Sequence, residues 1–385
     1  MEKTLVLIVG AGPAGLALAA CLTKKSIPFI LLEREDCHNS LWKKRAYDRC
    51  HLHLAKEFCS LPFKPHEDNA KKYMSKNDFI NYVDDYVDHF GIKPRYHHSV
   101  EHASFDEVQG KWEIRAMDTL SNVSRVFFST FLVVATGENG KGVIPDINGV
   151  KEFEGDILHS SQYKSGLEYC DKDVLVVGCG NSGMEISLDL ANHGANTSIV
   201  VRNSFHVVTK DMIWAGMNLM KYFSIKVVDV LISMASNIEF GNLSKYGIHR
   251  PDKGPFFLKA TTGRSPVIDV GTVAKIREGK IKVRPGISRI NKNSVVFQDQ
   301  IESHFDAIVF ATGYKSTVCE WLKDYEYLLK ENGFPKNRFP NHWKGKNRLY
   351  CAGLARMGLQ GVSRDAHAIA TDIQATLRSM AYEES

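Results

Sequence analysis

The sequence predicts an α/β protein made of two nested dinucleotide-binding, Rossmann-like domains with three-layer parallel sheets. Three observations carry that prediction. A strand running into a glycine-rich turn and then a helix occurs twice, at 5–22 and at 173–193. Each copy is followed by a second strand that ends in a charged residue, Glu33 in the first and Arg202 in the second. Two similar segments, Phe131–Gly137 and Ala307–Tyr314, each run from a buried strand into a small-residue turn, so that the chain leaves one domain and later re-enters it.

Composition sets the bounds. The 385 residues, 44% apolar and 24% charged, suffice for two or three domains that each bury a core, and exclude a disordered, collagenous or disulfide-stapled chain. The net charge of +5, from 49 basic and 44 acidic residues, reads as spread along the chain; it calls for no nucleic acid and suits a small phosphate-bearing ligand. Eight cysteines without a CxxC pair or metal-like clustering fit a reducing compartment, hence a cytoplasmic protein, and disfavour structural zinc or a dithiol redox pair.

The first element resolves an ambiguity. Thr4 to Thr23 is a run of 20 residues without a charge, long enough to resemble a membrane span or signal peptide. Its interior, Gly10-Ala11-Gly12-Pro13-Ala14-Gly15, makes poor lipid-facing filling, and no basic region precedes it. The run instead reads as strand Leu5 to Val9, a tight turn, and a helix from Leu16. Gly10 permits the turn, Gly12 lets the backbone approach a pyrophosphate, and Gly15 lets helix pack on strand, while the helix N-terminus offers N–H groups to the phosphates. The strand Phe29 to Leu32 then presents Glu33 to a ribose.

The second copy repeats the pattern 168 residues on, with strand Asp173 to Val177, turn Gly178-Cys179-Gly180-Asn181-Ser182-Gly183, helix Met184 to His193 and strand Thr197 to Val201. Arg202 occupies the position that Glu33 holds in the first copy. An acid there repels a 2′-phosphate and an arginine attracts one, so the first site suits FAD or NAD and the second suits NADPH. Two unlike sites imply electron transfer from visiting NADPH to tightly held FAD. The expected division is an FAD domain of residues 1–165 and 305–385 with an NADPH domain, 166–304, inserted. Thr136, Gly137 and Asn139, and Thr312 and Gly313, then lie near the cofactors. Asp211 to Leu243 is apolar and methionine-rich, but its longest uncharged runs are nine residues, too short to span a bilayer. Its helical spacing suits a core face, a cover over an apolar substrate, or a membrane contact.

With these motifs placed, the chain resembles the class B flavin-dependent monooxygenases along nearly its whole length, including Phe153-x-Gly155-x-x-x-His159-x-x-x-Tyr163 between the two nucleotide motifs. Tyr163-Lys164 stands where Baeyer–Villiger enzymes carry Trp followed by Pro or Asp. More narrowly it is similar to the plant YUCCA flavin monooxygenases, through Ser40-Leu41-Trp42-Lys43-Lys44-Arg45, Tyr47-Asp48-Arg49, Leu52-His53-Leu54, Leu132 to Asn139, Gly178 to Glu185, Lys245-Tyr246-Gly247, Arg250-Pro251, Gly333-Phe334-Pro335 and Trp343-Lys344-Gly345. The resemblance implies conversion of indole-3-pyruvate to indole-3-acetate with NADPH and O₂ through a flavin peroxide. It also implies that Leu41 and Trp42 pack near the flavin ring and that Asn181 and Ser182 hold NADP⁺. His53, which stands where many family members carry asparagine, is the candidate for a hydrogen bond to the peroxide, with a bond to nearby backbone as its alternative. Ala55, where proline is common, and Arg356 to Gly361 also depart from the family pattern. Lys210, Arg250 and Arg264 are candidate cations for the substrate carboxylate. N- or S-oxygenation of a soft nucleophile is the main alternative; a flavin disulfide reductase would need a dithiol, and a non-catalytic flavin protein would not consume NADPH.

Overall fold

A computed structural model describes residues 1–383 and resolves into two compact units. The first comprises Met1–Lys44, Lys56–Lys141 and Tyr314–Ser385; the second comprises Arg45–Ala55 and Gly142–Gly313.

In the first unit, strand β1 (Glu2–Val9) is followed by helix α1 (Pro13–Lys24) and strand β2 (Phe29–Leu32). β1 lies between β2 and β5 (Val123–Val134), parallel to both, and Leu349–Cys351 adds a further parallel strand along β5. The last four residues of β5, Phe131 to Val134, are buried without a break, as the apolar run foretells. This sheet is not purely parallel, however. β3 (His98–Asp106), β4 (Lys111–Asp118) and β5 form an antiparallel meander, because the connections between them are four residues each and parallel pairing needs a crossover of a dozen or more. Leu7, Val9, Ile30, Leu32, Leu132 and Val134 pack with Trp112 and Ile114 in one core. The alanine-rich α1 is buried from Ala14 to Leu22, and the final helix, Gly358–Glu383, packs along it.

The second unit holds a five-stranded all-parallel sheet. Its strands are β6 (Asp156–His159), β7 (Asp173–Val177), β8 (Asn196–Val200), β9 (Ile281–Arg284) and β10 (Ala307–Phe310), in the order β9-β8-β7-β10-β6. Helix α2 (Asn181–Asn192) connects β7 to β8. The bounds differ from those read off the sequence. β6 and β10, assigned there to the first domain, belong to this sheet, because Ala307–Phe310 pairs with Val174–Val177 on one side and with Asp156–His159 on the other. The excursion Arg45–Ala55 is also counted here, tied by the Asp48 N–H to the Lys164 carbonyl at 3.0 Å.

Candidate functional site

The two glycine-rich turns have nearly the same geometry. In the first unit a Cβ on Gly10, whose φ is +106°, would lie 2.7 Å from the Ala135 carbonyl oxygen, and one on Gly15 would lie 1.9 Å from the Gly10 carbonyl oxygen. In the second unit a Cβ on Gly178, with φ +114°, would lie 2.5 Å from the Ala311 carbonyl oxygen, and one on Gly183 would lie 1.9 Å from that of Gly178. The outer glycines are therefore there for contact between backbones. The middle ones are not: a Cβ on Gly12 or Gly180 would meet nothing within 4 Å. Each caps its helix in an extended conformation and leaves open space over the helix N-terminus, where N–H groups and the helix dipole favour an anion.

The two Ala-Thr-Gly segments lie against these turns, each within its own unit. Around the first turn, Glu33 is 6% exposed, and its carboxylate accepts the Ala11 N–H at 2.7 Å and the Glu35 N–H at 3.1 Å. Burial pushes its carboxyl up, against the pull of those two backbone donors. Each oxygen keeps a second lone pair for a hydroxyl donor. Two further polar groups here are buried with no partner: the Thr136 hydroxyl and both amide atoms of Asn39. Asn39, fully buried with φ +54°, is missing from the residues singled out in the sequence; its N–H donates to the Ala11 carbonyl at 2.9 Å, which sets it beside the turn. Because buried polar atoms are nearly always satisfied, an orphaned hydroxyl and amide beside an open phosphate cradle fit a ligand that supplies their partners. Pro13 occupies the first turn of α1, and Ala11 and Ala14 are buried. Gly353 approaches so closely that a Cβ there would lie 2.7 Å from that of Ala14; its N–H is held by Asp365, which also pairs with buried His342 at 2.9 Å. Leu41 and Trp42 are half-buried, the Trp42 ring 4.7 Å from that of Phe79, while Gly137 is open above its Cα and Asn139 is exposed.

Around the second turn, Arg202 is exposed two residues beyond the end of β8. The Cys179 thiol is pushed up by burial, against the backbone N–H groups of Arg202 and Asn203 and the charge of Arg264. Arg264, read from sequence as a carboxylate candidate, thus stands beside the nucleotide turn, with its guanidinium donating to the Ser204 carbonyl at 3.2 Å. The Asn181 side chain is already engaged, accepting the Ile268 N–H at 2.7 Å and donating to the Pro266 carbonyl at 3.4 Å, so it braces a neighbouring strand. Ser182 is half-buried in the first turn of α2. The Thr312 hydroxyl donates to the Val143 carbonyl, and the Gly313 carbonyl accepts from His159 Nε2 at 3.0 Å. His159 is 3% exposed and anchored on its other side to Ser161, which makes it an organiser of this corner.

His53 pairs with a side chain rather than with nearby backbone. Its Nε2 donates to the carboxylate of Glu185, a residue absent from the sequence-derived candidates. Glu185 lies on α2, is 2% exposed, and accepts the Tyr47 hydroxyl at 3.0 Å. Burial works against its charge, but the bonds from His53 and Tyr47 and the charge of Arg49 hold its carboxyl below the ordinary range. Half-buried Lys210 faces the same cluster; burial lowers its ammonium, opposed by the Glu185 charge. Arg250 is spent elsewhere, donating to the Ser236 and Gly241 carbonyls at 3.1 Å each. Of the three cations read from the sequence, Lys210 alone stands with the histidine. The burial of Glu185 explains the cluster: residues 183–190 of α2 are buried all round, and an acid in such a stretch requires a partner.

Comparison with known proteins gives the family and the fold. The model of the flavin-binding monooxygenase-like family matches residues 3–358. The chain is 55% identical over 379 residues to the probable indole-3-pyruvate monooxygenase YUCCA10 of Arabidopsis thaliana, covering 98% of this chain and 99% of that protein. It is 48% identical over 372 residues to the probable indole-3-pyruvate monooxygenase YUCCA9 of the same plant, covering 95% and 88%. Among solved structures, a flavin-containing monooxygenase from Stenotrophomonas maltophilia superposes with a TM-score of 0.74 at 18% identity, covering 98% of this chain and all of that one, and so shares the fold. With paired nucleotide cradles of opposite charge and relatives matched from end to end, the chain belongs to the flavin-binding monooxygenase-like family, within its YUCCA branch.

Proposed function

We propose that this protein is an FAD-dependent monooxygenase of the cytoplasm that converts indole-3-pyruvate, NADPH, a proton and O₂ into indole-3-acetate, CO₂, NADP⁺ and water. The observation that carries the substrate is the 55% identity to a relative named for indole-3-pyruvate. Bound FAD, reduced by NADPH, supplies the activation of O₂. The residues of the first unit fit it. The open space over Gly12 receives the pyrophosphate, Glu33 accepts the ribose hydroxyls, and Asn39 and Thr136 gain the partners they lack. Leu41 and Trp42 supply an apolar wall. In the second unit the N-terminus of α2 takes the NADPH pyrophosphate, while Arg202, reinforced by Arg264, takes the 2′-phosphate.

The remaining work falls to the cluster around Glu185. Its carboxylate engages Nε2–H of His53, leaving Nδ1 to accept or return a proton during oxidation of the keto acid. Lys210 supplies a cation for the substrate carboxylate. Replacing Glu185 with Gln should lower kcat about 10- to 100-fold with KM little changed, and shift the acid limb of the pH–rate profile, whereas Glu185→Asp should recover part of the loss. Steady-state assays across pH read both. Unchanged profiles in the Gln variant would reduce Glu185 to a packing role.

Acid should also loosen FAD. Because burial holds the Glu33 carboxyl above its ordinary range, the folded chain takes up this proton earlier than the unfolded one as pH falls. The charge therefore costs stability at neutral pH. Protonation relieves that cost but removes an acceptor from the ribose, so FAD affinity should fall toward acid from above the usual carboxylate range. Glu33→Gln should flatten the dependence in equilibrium dialysis.

The substrate assignment is tested by following NADPH oxidation with indole-3-pyruvate and identifying the product by mass spectrometry. Stoichiometric indole-3-acetate supports it. Flavin reduction without that product, together with oxygenation of an amine or thioether, would move the protein to the soft-nucleophile reading.

A further inference from the structure

We propose that the outer face of the helical insert in the second unit docks on an anionic lipid surface. The insert contains α3 (Lys210–Leu219), α4 (Ile225–Phe240) and α5 (Pro255–Thr262), with α4 packed against both neighbours. α4 is apolar on both sides. Val228, Ile232 and Phe240 are buried, whereas Val227, Val230, Leu231, Met234 and Ile238 point outward, from 45% to 87% exposed. Their spacing of three, four, seven and eleven residues from Val227 places them in one stripe along the helix. In the turn before α4 the aromatic rings of Tyr222 and Phe223 are exposed, and Trp214 of α3 is exposed to 37%. Nine of the 21 large apolar side chains exposed among the described residues fall within residues 214–238, too dense a concentration to be scattered surface apolarity. Of the three readings open for this segment, a core face accounts for its inner half alone.

Charge decides the occupant. Residues 210–264 carry eight basic and four acidic residues, an excess of four, against five for the whole chain. The positive charge is concentrated here rather than spread along the sequence. Asp229 is withdrawn from the surface, its carboxylate accepting the Phe256 and Phe257 N–H groups at 2.8 and 3.0 Å. From Trp214 to the end of α4 the exposed charges are Lys221, Lys226 and, beyond the last residue of the stripe, Glu239. An uncharged stripe bordered at its N-terminal end by two lysines and aromatic rings, within a segment of net positive charge, suits a helix lying in the headgroup layer, with its aliphatic side chains in the acyl region and its cations on anionic headgroups. Among the described residues no helix is long and apolar enough to cross a membrane, so this contact is a surface one.

The test is flotation of the FAD-loaded full chain with vesicles of phosphatidylcholine, with and without phosphatidylserine, alongside sedimentation velocity without lipid. The proposal expects flotation with the phosphatidylserine vesicles, weakened by salt. The double variant Leu231→Glu/Met234→Glu should lower vesicle affinity by about 100-fold or more, and Lys221→Glu/Lys226→Glu by about tenfold, with flavin content and NADPH oxidation unchanged. No flotation, or equal flotation with both compositions, overturns it. So does a dimer that Met234→Glu alone disperses, which would place a second copy on this face. The readout is independent of substrate, so its failure leaves the catalytic reading standing.

Discussion

Gly15→Ala should yield a protein without bound FAD and with a lowered unfolding midpoint, whereas Gly12→Ala should lose FAD with the fold intact. The two residues stand three apart in one turn and differ in what a methyl group would meet. At Gly15 the new Cβ would lie 1.9 Å from the Gly10 carbonyl oxygen, a backbone atom that cannot rotate away. An alanine inside a helix gains about 1 kcal/mol over glycine. A clash that forces α1 off its sheet costs about 1–3 kcal/mol or more, and here no flexible side chain can absorb it, so destabilisation wins. Each kcal/mol lost should lower the midpoint by roughly 2–4 °C in a domain of this size. At Gly12 nothing lies within 4 Å and φ is −76°, which alanine adopts freely, so the apoprotein midpoint should stay level or rise. The methyl group then occupies the space proposed for the pyrophosphate. Absorbance of bound flavin and calorimetry of the apoprotein read the two effects separately. An FAD-replete Gly12→Ala protein would refute the phosphate assignment. In the second unit Gly183→Ala and Gly180→Ala should behave in parallel, with NADPH binding as the readout.

The second large effect concerns coenzyme choice. Arg202→Ala should weaken NADPH binding roughly 30- to 150-fold, about 2–3 kcal/mol, and leave NADH binding nearly unchanged, because the lost contact is a charge-assisted one to the 2′-phosphate alone. Arg264, distant from Cys179 in sequence and close to it in space, should give a smaller loss of the same kind. Flavin reduction by each coenzyme under anaerobic conditions, analysed for its concentration dependence, gives both affinities. An equal loss for NADPH and NADH would mean that Arg202 supports the turn rather than the phosphate.

The glycines, Glu33 and Arg202 were legible because a dinucleotide turn is a local device: its strand, bend, helix and charged strand end all lie within a few dozen consecutive residues. Several other features were not legible. The antiparallel meander of β3 to β5 depends on short connections in a stretch without a motif. The partners of Glu185 lie 132 and 138 residues away, and an acid within a helix looks ordinary until its whole neighbourhood proves to be buried. Asn39 gives no sign in sequence that its amide is left without a partner beside the first turn.

By itself, then, the sequence determined the two glycine-rich turns, the opposite charges at the ends of their second strands, and the resemblance that named a reaction. Only the tertiary structure decided which residues share a site. It joined His53 to Glu185, placed Arg264 beside the second glycine-rich turn, spent Arg250 and the Asn181 side chain on backbone, and turned one side of α4 outward. The reason is physical. Motifs record what neighbouring residues must do for one another, whereas burial, which makes an unpaired carboxylate costly and an exposed leucine informative, exists only after distant segments have packed.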